Sequence, residues 1–421
     1  MANTVLTPRM ILREVYALMH QSSNFIMRTN RQYDSRFARQ GAKIGQTLDV
    51  RLPAKFVTRE GNTMSAQNYV ERKVELPLAT IHGVDLNFGQ EELTFSLDDF
   101  SERVLRPAVA QLTATVESQA MQAAYKKVAN YVGIVTTAST TVYRDFQSMG
   151  RFLTENLAPM SDRTACINPQ TRVDFSDAVK GLFQSSDNIR DQYVEGMVGR
   201  TGGFDVYENT LLPAHTTGTH SGTITVTTTT AADTGYDGTG NAWPTGDAFE
   251  LKVDTADPMA FKAGDIITIS GVNEVHPESK QDLGYAKRFV VQEDVSDSGG
   301  GTMTVPILPF PILSGAYQNV SAAIADGATV TRLGPAGGGD AITYGQNLGF
   351  HRDAFAFVTA DLEDPSQYGA WGGREVMDGL SIRIWRQGDI SNGSFPCRLD
   401  IAWGFATIYP EWAVRWAHVQ S

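Results

Sequence analysis

Near the middle of this chain the composition changes abruptly, and that change limits what the rest can fold into. Between positions 216 and 240, sixteen of 25 residues are Thr or Gly, and none is Lys, Arg or Glu. Short apolar, β-prone runs follow at 249–253, 266–270, 289–291, 303–307 and 329–332. Turn signals divide them, namely Ala263-Gly264-Asp265, Ser298-Gly299-Gly300-Gly301 and Asp326-Gly327. Strands this short and this evenly spaced predict a small all-β barrel or sandwich. The block closes at Gly334-Pro335-Ala336-Gly337-Gly338-Gly339, a flexible seam. It also has its own charge, six Lys/Arg against fourteen Asp/Glu over 216–337. A segment with its own strand pattern, charge and seams reads as an insertion into another domain.

The flanking chain is neither all-β nor all-α. Residues 7–19 predict a short helix, with Thr7 as cap, Pro8 in its first turn and Ile11, Val15 and Leu18 on one face. Residues 25–45 are basic, with Arg28, Arg31, Arg36, Arg39 and Lys43 interleaved with Tyr33 and Phe37, and read as an extended or partly helical arm. Leu48, Val50 and Leu52 alternate with Asp49 and Arg51 before Pro53, and Val70, Val74 and Leu76 alternate among charges. Between them lies a polar stretch, 58–68, so residues 46–76 predict a long hairpin with a charged shaft. Val84, Leu86 and Phe88 give one more strand. Beyond Pro107, Val109, Leu112, Val116, Ala120 and Ala123 recur at helical spacing. Continuous over 107–132, that helix would reach about 39 Å, a length that suits a structural spine.

Residues 140–213 read as mixed α/β, with helices near 143–155 and 170–184. Residues 340–421 are strand-rich, with Leu380, Ile382 and Ile384 in alternation, then Ile401, Trp403 and Phe405. Five of the six tryptophans fall there, at 371, 385, 403, 412 and 416, and read as core or interface packing. At 421 residues the chain has room for roughly three domains.

The search for reactive chemistry returns little. Neither G-x-x-x-x-G-K-[ST] nor G-x-S-x-G occurs, so the phosphate-loop and hydrolase-elbow readings fail. Asp233-x-Gly235-x-Asp237-Gly238 resembles a calcium loop only until its twelfth position, which is Pro244 where a bidentate Glu is needed. His215 and His220 are five apart in a Thr/Gly-rich segment and read as a loose surface pair. Cys166 and Cys397 match no ligand spacing and fit a reducing compartment. No enzymatic activity, cofactor or metal is expected. Arg9, Arg13 and Glu14 stand where a secretory signal would be apolar, and no run is long enough to span a bilayer. Neither secretion nor membrane insertion is expected.

Charge is unevenly placed. Residues 1–60 carry ten Lys/Arg and four Asp/Glu, which leaves −18 on the other 361 residues of a chain whose net charge is −12. A basic arm of this kind meets an acidic partner, either nucleic acid or another copy of the chain, and the acidic remainder favours the second. The hairpin carries its own charges at Arg59, Glu60, Glu71 and Arg72. Since a lone hairpin is marginal in water, these are expected to meet a neighbouring subunit.

In order, these parts resemble the major capsid proteins of tailed bacteriophages. The stretches that carry the resemblance are Tyr33-Asp34, Phe37-Ala38-Arg39-Gln40-Gly41-Ala42-Lys43-Ile44-Gly45 and Val50-Arg51-Leu52-Pro53. Further along come Leu97-Asp98-Asp99-Phe100-Ser101-Glu102-Arg103 and Arg106-Pro107-Ala108. Phe261-Lys262-Ala263-Gly264-Asp265 with Ile269-Ser270-Gly271-Val272-Asn273 fits that family's inserted barrel, and Asn347-Leu348-Gly349-Phe350-His351-Arg352-Asp353-Ala354-Phe355 fits the return. The resemblance implies an α+β fold of the Hong-Kong-97 type with an inserted β-barrel. It divides the chain into an arm (1–45), an extended hairpin loop (46–76), a peripheral strand and spine helix (77–138), an axial and peripheral body (139–215), the barrel (216–337) and a return to the capsid core (338–421). It implies hexamers and pentamers around packaged double-stranded DNA, a portal at one vertex, and assembly in the bacterial host cytoplasm. A separate scaffolding protein is expected, because too few residues precede the hairpin for a fused one. An encapsulin-like nanocompartment would share the fold, and a β-rich surface adhesin would share the Thr-rich segment.

Overall fold

The computed structural model describes residues 13, 15, 23–31, 47–64, 66–67, 72–78, 80–89, 106–133, 142–179, 200–220, 222–228, 230–239, 243–244, 247–254, 258–333, 341–360, 362, 369, 371–377, 380–388 and 394–418. Strands β1 (Thr47–Leu52), β2 (Arg72–Pro77) and β3 (Thr80–Gly89) lead to helix α1 (Arg106–Tyr125). Then come β4 (Tyr131–Val132), α2 (Val142–Glu155), β5 (Arg163–Ile167) and α3 (Pro169–Val179). Strands β6 (Arg200–Thr201), β7 (Phe204–Glu208) and β8 (Ala214–Thr216) complete the first half. The second half opens with β9 (Ile224–Thr225), β10 (Phe249–Asp254), β11 (Met259–Phe261) and β12 (Ile266–Val275). It continues through β13 (Asp282–Val291), β14 (Val295–Asp297), β15 (Thr302–Leu308) and β16 (Thr329–Leu333). The last strands are β17 (Thr343–His351), β18 (Phe355–Ala360), β19 (Trp371–Met377), β20 (Leu380–Arg386), β21 (Ser394–Thr407) and β22 (Ala413–His418).

The chain divides into two compact units, the first comprising Met1–Val50, Val74–Ala123 and Phe355–Ile408. Its five-stranded sheet is ordered β18-β21-β20-β19, with β3 also on β21. The fourteen-residue β21 is the common member, pairing along β3 from Gly89 to Thr80 and along β18 from Phe355 to Ala360. The described start of the basic arm joins this sheet: Asn30 donates to the Phe355 carbonyl at 3.0 Å and accepts from Phe357 N at 3.1 Å. Phe25 is buried against Phe355 and Phe405, and its N–H donates to the buried carboxylate of Glu117 on α1 at 2.9 Å. Of the helix expected over 7–19, Arg13 and Val15 are described, both helical, with Val15 buried.

Helix α1 is shorter than its sequence suggested. It ends at Tyr125, so its twenty residues span about 30 Å rather than 39 Å. Beyond two turn residues, β-prone Tyr131 and Val132 pair in parallel with β22, and the Asn130 amide donates to the carbonyls of Glu411 and Ala413. Tertiary pairing therefore overrides the helical seam at that point. The buried seam runs through Val109, Leu112, Val116, Ala120 and Ala124, with Ala123 exposed, as a 3.6-residue period requires.

The second unit comprises Arg51–Lys73, Ala124–Ala354 and Tyr409–Ser421. A seven-stranded sheet runs β4-β22-β17-β5-β7-β6, with β8 also on β17. Helix α2 buries Val142, Phe146, Met149, Phe152 and Leu153 in the core beside this sheet. The Phe146 ring meets Phe175, Phe204 and Trp416 edge-on at 5.0, 5.6 and 6.1 Å.

The barrel of this unit follows from alternation. Strands run β10-β15-β13-β12-β16-β9, and Val226 bridges Val253 while Thr227 N donates to the Lys252 carbonyl, so the six strands close. Along β10 burial alternates strictly, and Leu251, Val253, Ile267, Ile269, Phe289, Val291, Val305 and Ile307 fill the interior. Ile266 and Val290 point the other way, yet stay buried against Ala129, Tyr131, Tyr344 and Ala417. The two chain ends that feed the barrel lie side by side: Thr216 pairs with Thr343, their hydroxyls 2.8 Å apart.

Two outcomes are expected. Phe146→Ala should lower stability by about 3–5 kcal/mol in urea titration, because three aromatic neighbours cannot close the gap. Residues 216–337 expressed alone should give the dispersed amide spectrum of a β-fold; an unfolded spectrum would mean the barrel needs its seam.

Candidate assembly surface

The loop joining β1 to β2 begins at Pro53, which cannot extend the ladder. It leaves large apolar side chains in solvent: Phe56 is 62% exposed, Val57 44% and Met64 82%. Apolar groups gathered in solvent on one loop make it the candidate contact surface. The loop is nevertheless ordered by its own side chains. The Gln67 amide accepts from Val57 N at 3.0 Å and donates back to the Val57 carbonyl, standing in for a strand partner. Arg59 donates to the carbonyls of Gly61 and Thr63, which pins the tip turn.

The root of the same loop rests on the barrel. The Arg72 guanidinium lies 3.6 Å from the centroid of Trp243 and 5.6 Å from that of Tyr317. Such cation–π contacts contribute about 0.5–2 kcal/mol. The Tyr317 hydroxyl accepts from Lys55 N at 3.3 Å, and the Trp243 and Tyr317 rings meet edge-on at 5.2 Å. Burial lowers the Arg72 guanidinium from its ordinary value, opposed by Glu411. Lys280 fastens the Tyr317 segment from behind, its ammonium donating to the carbonyls of Pro277, Ala316 and Gln318, with burial pushing its pKa down to about 8.

A buried polar seam joins the barrel to the seven-stranded sheet. His215 Nε2 meets Asp265 Oδ1 at 2.8 Å, while Asp265 Oδ2 accepts from Gly218 N at 3.1 Å and Lys262 N at 2.8 Å. The fully buried Arg415 donates to the Gly264 carbonyl at 2.7 Å and to Gln346 at 3.0 Å. Two glycines make this approach possible. Gly264 holds φ +105, and a Cβ on Gly218 would sit 1.9 Å from the Ala260 carbonyl oxygen. His215 and Asp265 are both buried, which corrects the reading of His215 as part of a surface pair: the His215 imidazole packs against a carboxylate fifty residues away. Burial lowers the His215 pKa despite the Asp265 hydrogen bond that raises it, and burial lowers His220 and His351 as well.

Of the charged residues singled out in the sequence, Arg28 is exposed and Arg31 half-buried. Arg36, Arg39, Lys43 and Glu71 lie outside the described residues. Arg59 is turned onto its own loop tip, Glu60 is exposed, and Arg72 stacks on its own chain's barrel rather than presenting a free charge. Sequence reasoning missed Phe56, Met64, Trp243 and Tyr317. A signal existed for two of them: Phe56 stands between Lys55 and a polar stretch, and Trp243 is the single tryptophan of the insertion. Among the described residues no group of three or more His, Cys, Asp or Glu could hold a metal ion, and no helix is long and apolar enough to cross a membrane.

The profile of one family, the P22 coat protein (gene protein 5), matches residues 29–415. No curated protein sequence matches the chain. Among solved structures, Mycobacterium phage Che8 is similar at 10% identity over 94% of this chain and 90% of that one, with a TM-score of 0.47. The asymmetric unit of the bacteriophage PhiM1 mature capsid is similar at 10% identity over 94% and 88%, with a TM-score of 0.43. The CUS-3 coat protein I-domain is 28% identical over 28% of this chain and 95% of its own, with a TM-score of 0.16.

The seam makes stability depend on pH. The unfolded chain's histidines take up protons near 6.5, whereas buried His215 and His351 and half-buried His220 resist until lower pH. Below 6.5 the unfolded state therefore binds more protons, and stability falls with falling pH until the folded values are reached. Melting temperatures across that window should decline, and His215→Gln should flatten part of the slope.

Proposed function

Since the chain belongs to the P22 coat protein family, and is thus a major capsid protein that assembles with copies of itself into the shell of a phage virion, we propose that it does so with a Hong-Kong-97-type fold in which the 53–71 loop covers a neighbouring copy. The observation that carries this reading is the loop itself, with Phe56, Val57 and Met64 exposed while hydrogen bonds order its backbone. A loop that holds three large apolar side chains in solvent, with hydrogen bonds of its own at Val57, Gly61 and Thr63, is prepared for burial on assembly. The mostly β body, the long helix α1 and a barrel inserted between β8 and β17 support the fold assignment.

Hexamers and pentamers of this chain would then enclose packaged double-stranded DNA, formed in the bacterial host cytoplasm with a separate scaffolding protein and a portal at one vertex. The net charge of −12 supports DNA held without sequence-specific contact. The basic arm, with Arg28, Arg31, Arg36, Arg39 and Lys43, is proposed to lie against an acidic neighbouring copy, and Arg59, Glu60, Glu71 and Arg72 belong to the hairpin face beside it. Self-assembly rather than catalysis is its activity. Neither the nanocompartment nor the adhesin reading gains support from the family match.

Phe56→Asp and Met64→Asp test the loop. Both residues are exposed, so the monomer's melting should stay within about 0.5 kcal/mol of the parent. Shell yield, read by sedimentation and electron microscopy, should fall sharply for each. Wild-type shell yield from the double variant would show that this loop covers no neighbour.

A further inference from the structure

The loop's direction is held by something other than its own strands. β1 and β2 form a sheet of two strands, which is marginal alone and leaves a protruding loop free to sway. At its root both legs touch one residue: Tyr317 accepts from Lys55 N on the outgoing leg and lies under Arg72 on the returning leg. Trp243 completes the corner, with the Arg72 guanidinium over its ring and Tyr317 edge-on to it. The corner is itself supported, since the Tyr236 hydroxyl donates to the Trp243 carbonyl and Lys280 holds the carbonyls of Ala316 and Gln318 on either side of Tyr317. Beyond Lys55, the described loop residues are held by the internal bonds of Gln67 and Arg59.

We infer that Arg72 is a positioning residue for assembly. Stacked on Trp243 and Tyr317, it lets the barrel set the direction in which the 53–71 loop reaches a second copy of the chain. The inference rests on the loop reading above. It assigns to the inserted barrel a task in the contact between copies that requires no barrel atom in the interface. A planar guanidinium is needed because it can lie flat on an indole while its edge still donates hydrogen bonds; a lysine ammonium keeps the charge and loses the plane.

The test uses the full-length chain under conditions that give wild-type shells. Arg72→Lys and Trp243→Leu should each slow assembly severalfold and give misshapen or open shells, with the monomer's far-UV spectrum and melting little changed. Trp243→Phe, which keeps an aromatic face, should recover most of the rate. Because the two side chains act as one unit, the double variant should be no worse than the poorer single. Hydrogen exchange of residues 56–64 in the monomer should quicken in both variants, which a merely stabilising role elsewhere in the barrel would not produce. Should Arg72→Lys with Trp243→Leu assemble at the wild-type rate into regular shells, or the two defects simply add, the positioning role is overturned. A third variant with 56–67 replaced by a short glycine turn separates the two readings. Loss of shells there, with normal shells from the stacking variants, removes only the positioning role. Normal shells from the shortened loop remove the loop reading itself.

Discussion

One buried carboxylate holds the second unit in register. Asp265 is fully desolvated, a state that costs several kcal/mol unless its lone pairs are filled. They are filled by His215, the Gly218 amide and the Lys262 amide, with Arg415 and Arg332 supplying positive potential nearby. Two of these partners, His215 and Gly218, lie on the segment that leaves the sheet for the barrel, and the third, Lys262, lies in the turn before β12 that carries Asp265. Arg415 then ties that turn, through the Gly264 carbonyl, to β22. A domain fed by two adjacent strands could pivot about them, and this network removes the pivot. Polar contacts of such strict geometry add little net stability over an apolar core, but they admit a single arrangement.

The same seam is reinforced on a second side by α2. Tyr285 of β13 donates to Glu155 at 2.8 Å, the Arg288 guanidinium covers the Phe152 ring at 4.4 Å, and Phe152 meets Tyr285 edge-on. Burial and the two acidic neighbours push the Tyr285 hydroxyl far above its ordinary pKa, so it remains a donor at any physiological pH. With the barrel fixed by Asp265 on one side and Glu155 on the other, the corner formed by Trp243 and Tyr317 has a defined position. Only then does stacking Arg72 on that corner give the hairpin loop a defined heading.

Much of this was legible because it rests on local rules. Alternation marked β1, β10, β15 and β16 within a residue or two, α2 matched its periodicity, and the Gly264 turn lay where sequence placed it. What was not legible depends on distant partners. Tyr131 and Val132 extend a helical seam in sequence, but β22 offers them a ladder. Ile266 and Ile267 read as one apolar run, although one faces the barrel interior and the other the sheet. His215 looked solvated because Asp265, its carboxylate partner, is fifty residues away. Arg72 looked like a free charge because no local pattern brings Trp243 beneath it.

Within one copy, two of the hairpin's charges are engaged by their own chain. Arg59 and Arg72 suggested ion pairs between copies, yet one guanidinium closes its own turn and the other lies on its own barrel. Beside exposed polar groups such as Glu60, the loop also leaves Phe56, Val57 and Met64 in solvent. An exposed ion pair contributes about 0–1 kcal/mol and is screened by salt, whereas burying one Phe or Met side chain contributes about 1.5–3 kcal/mol with little salt dependence. On the proposed reading, Arg59 and Arg72 fix where the loop points within each copy, and burial of Phe56, Val57 and Met64 against a neighbour would supply the attraction.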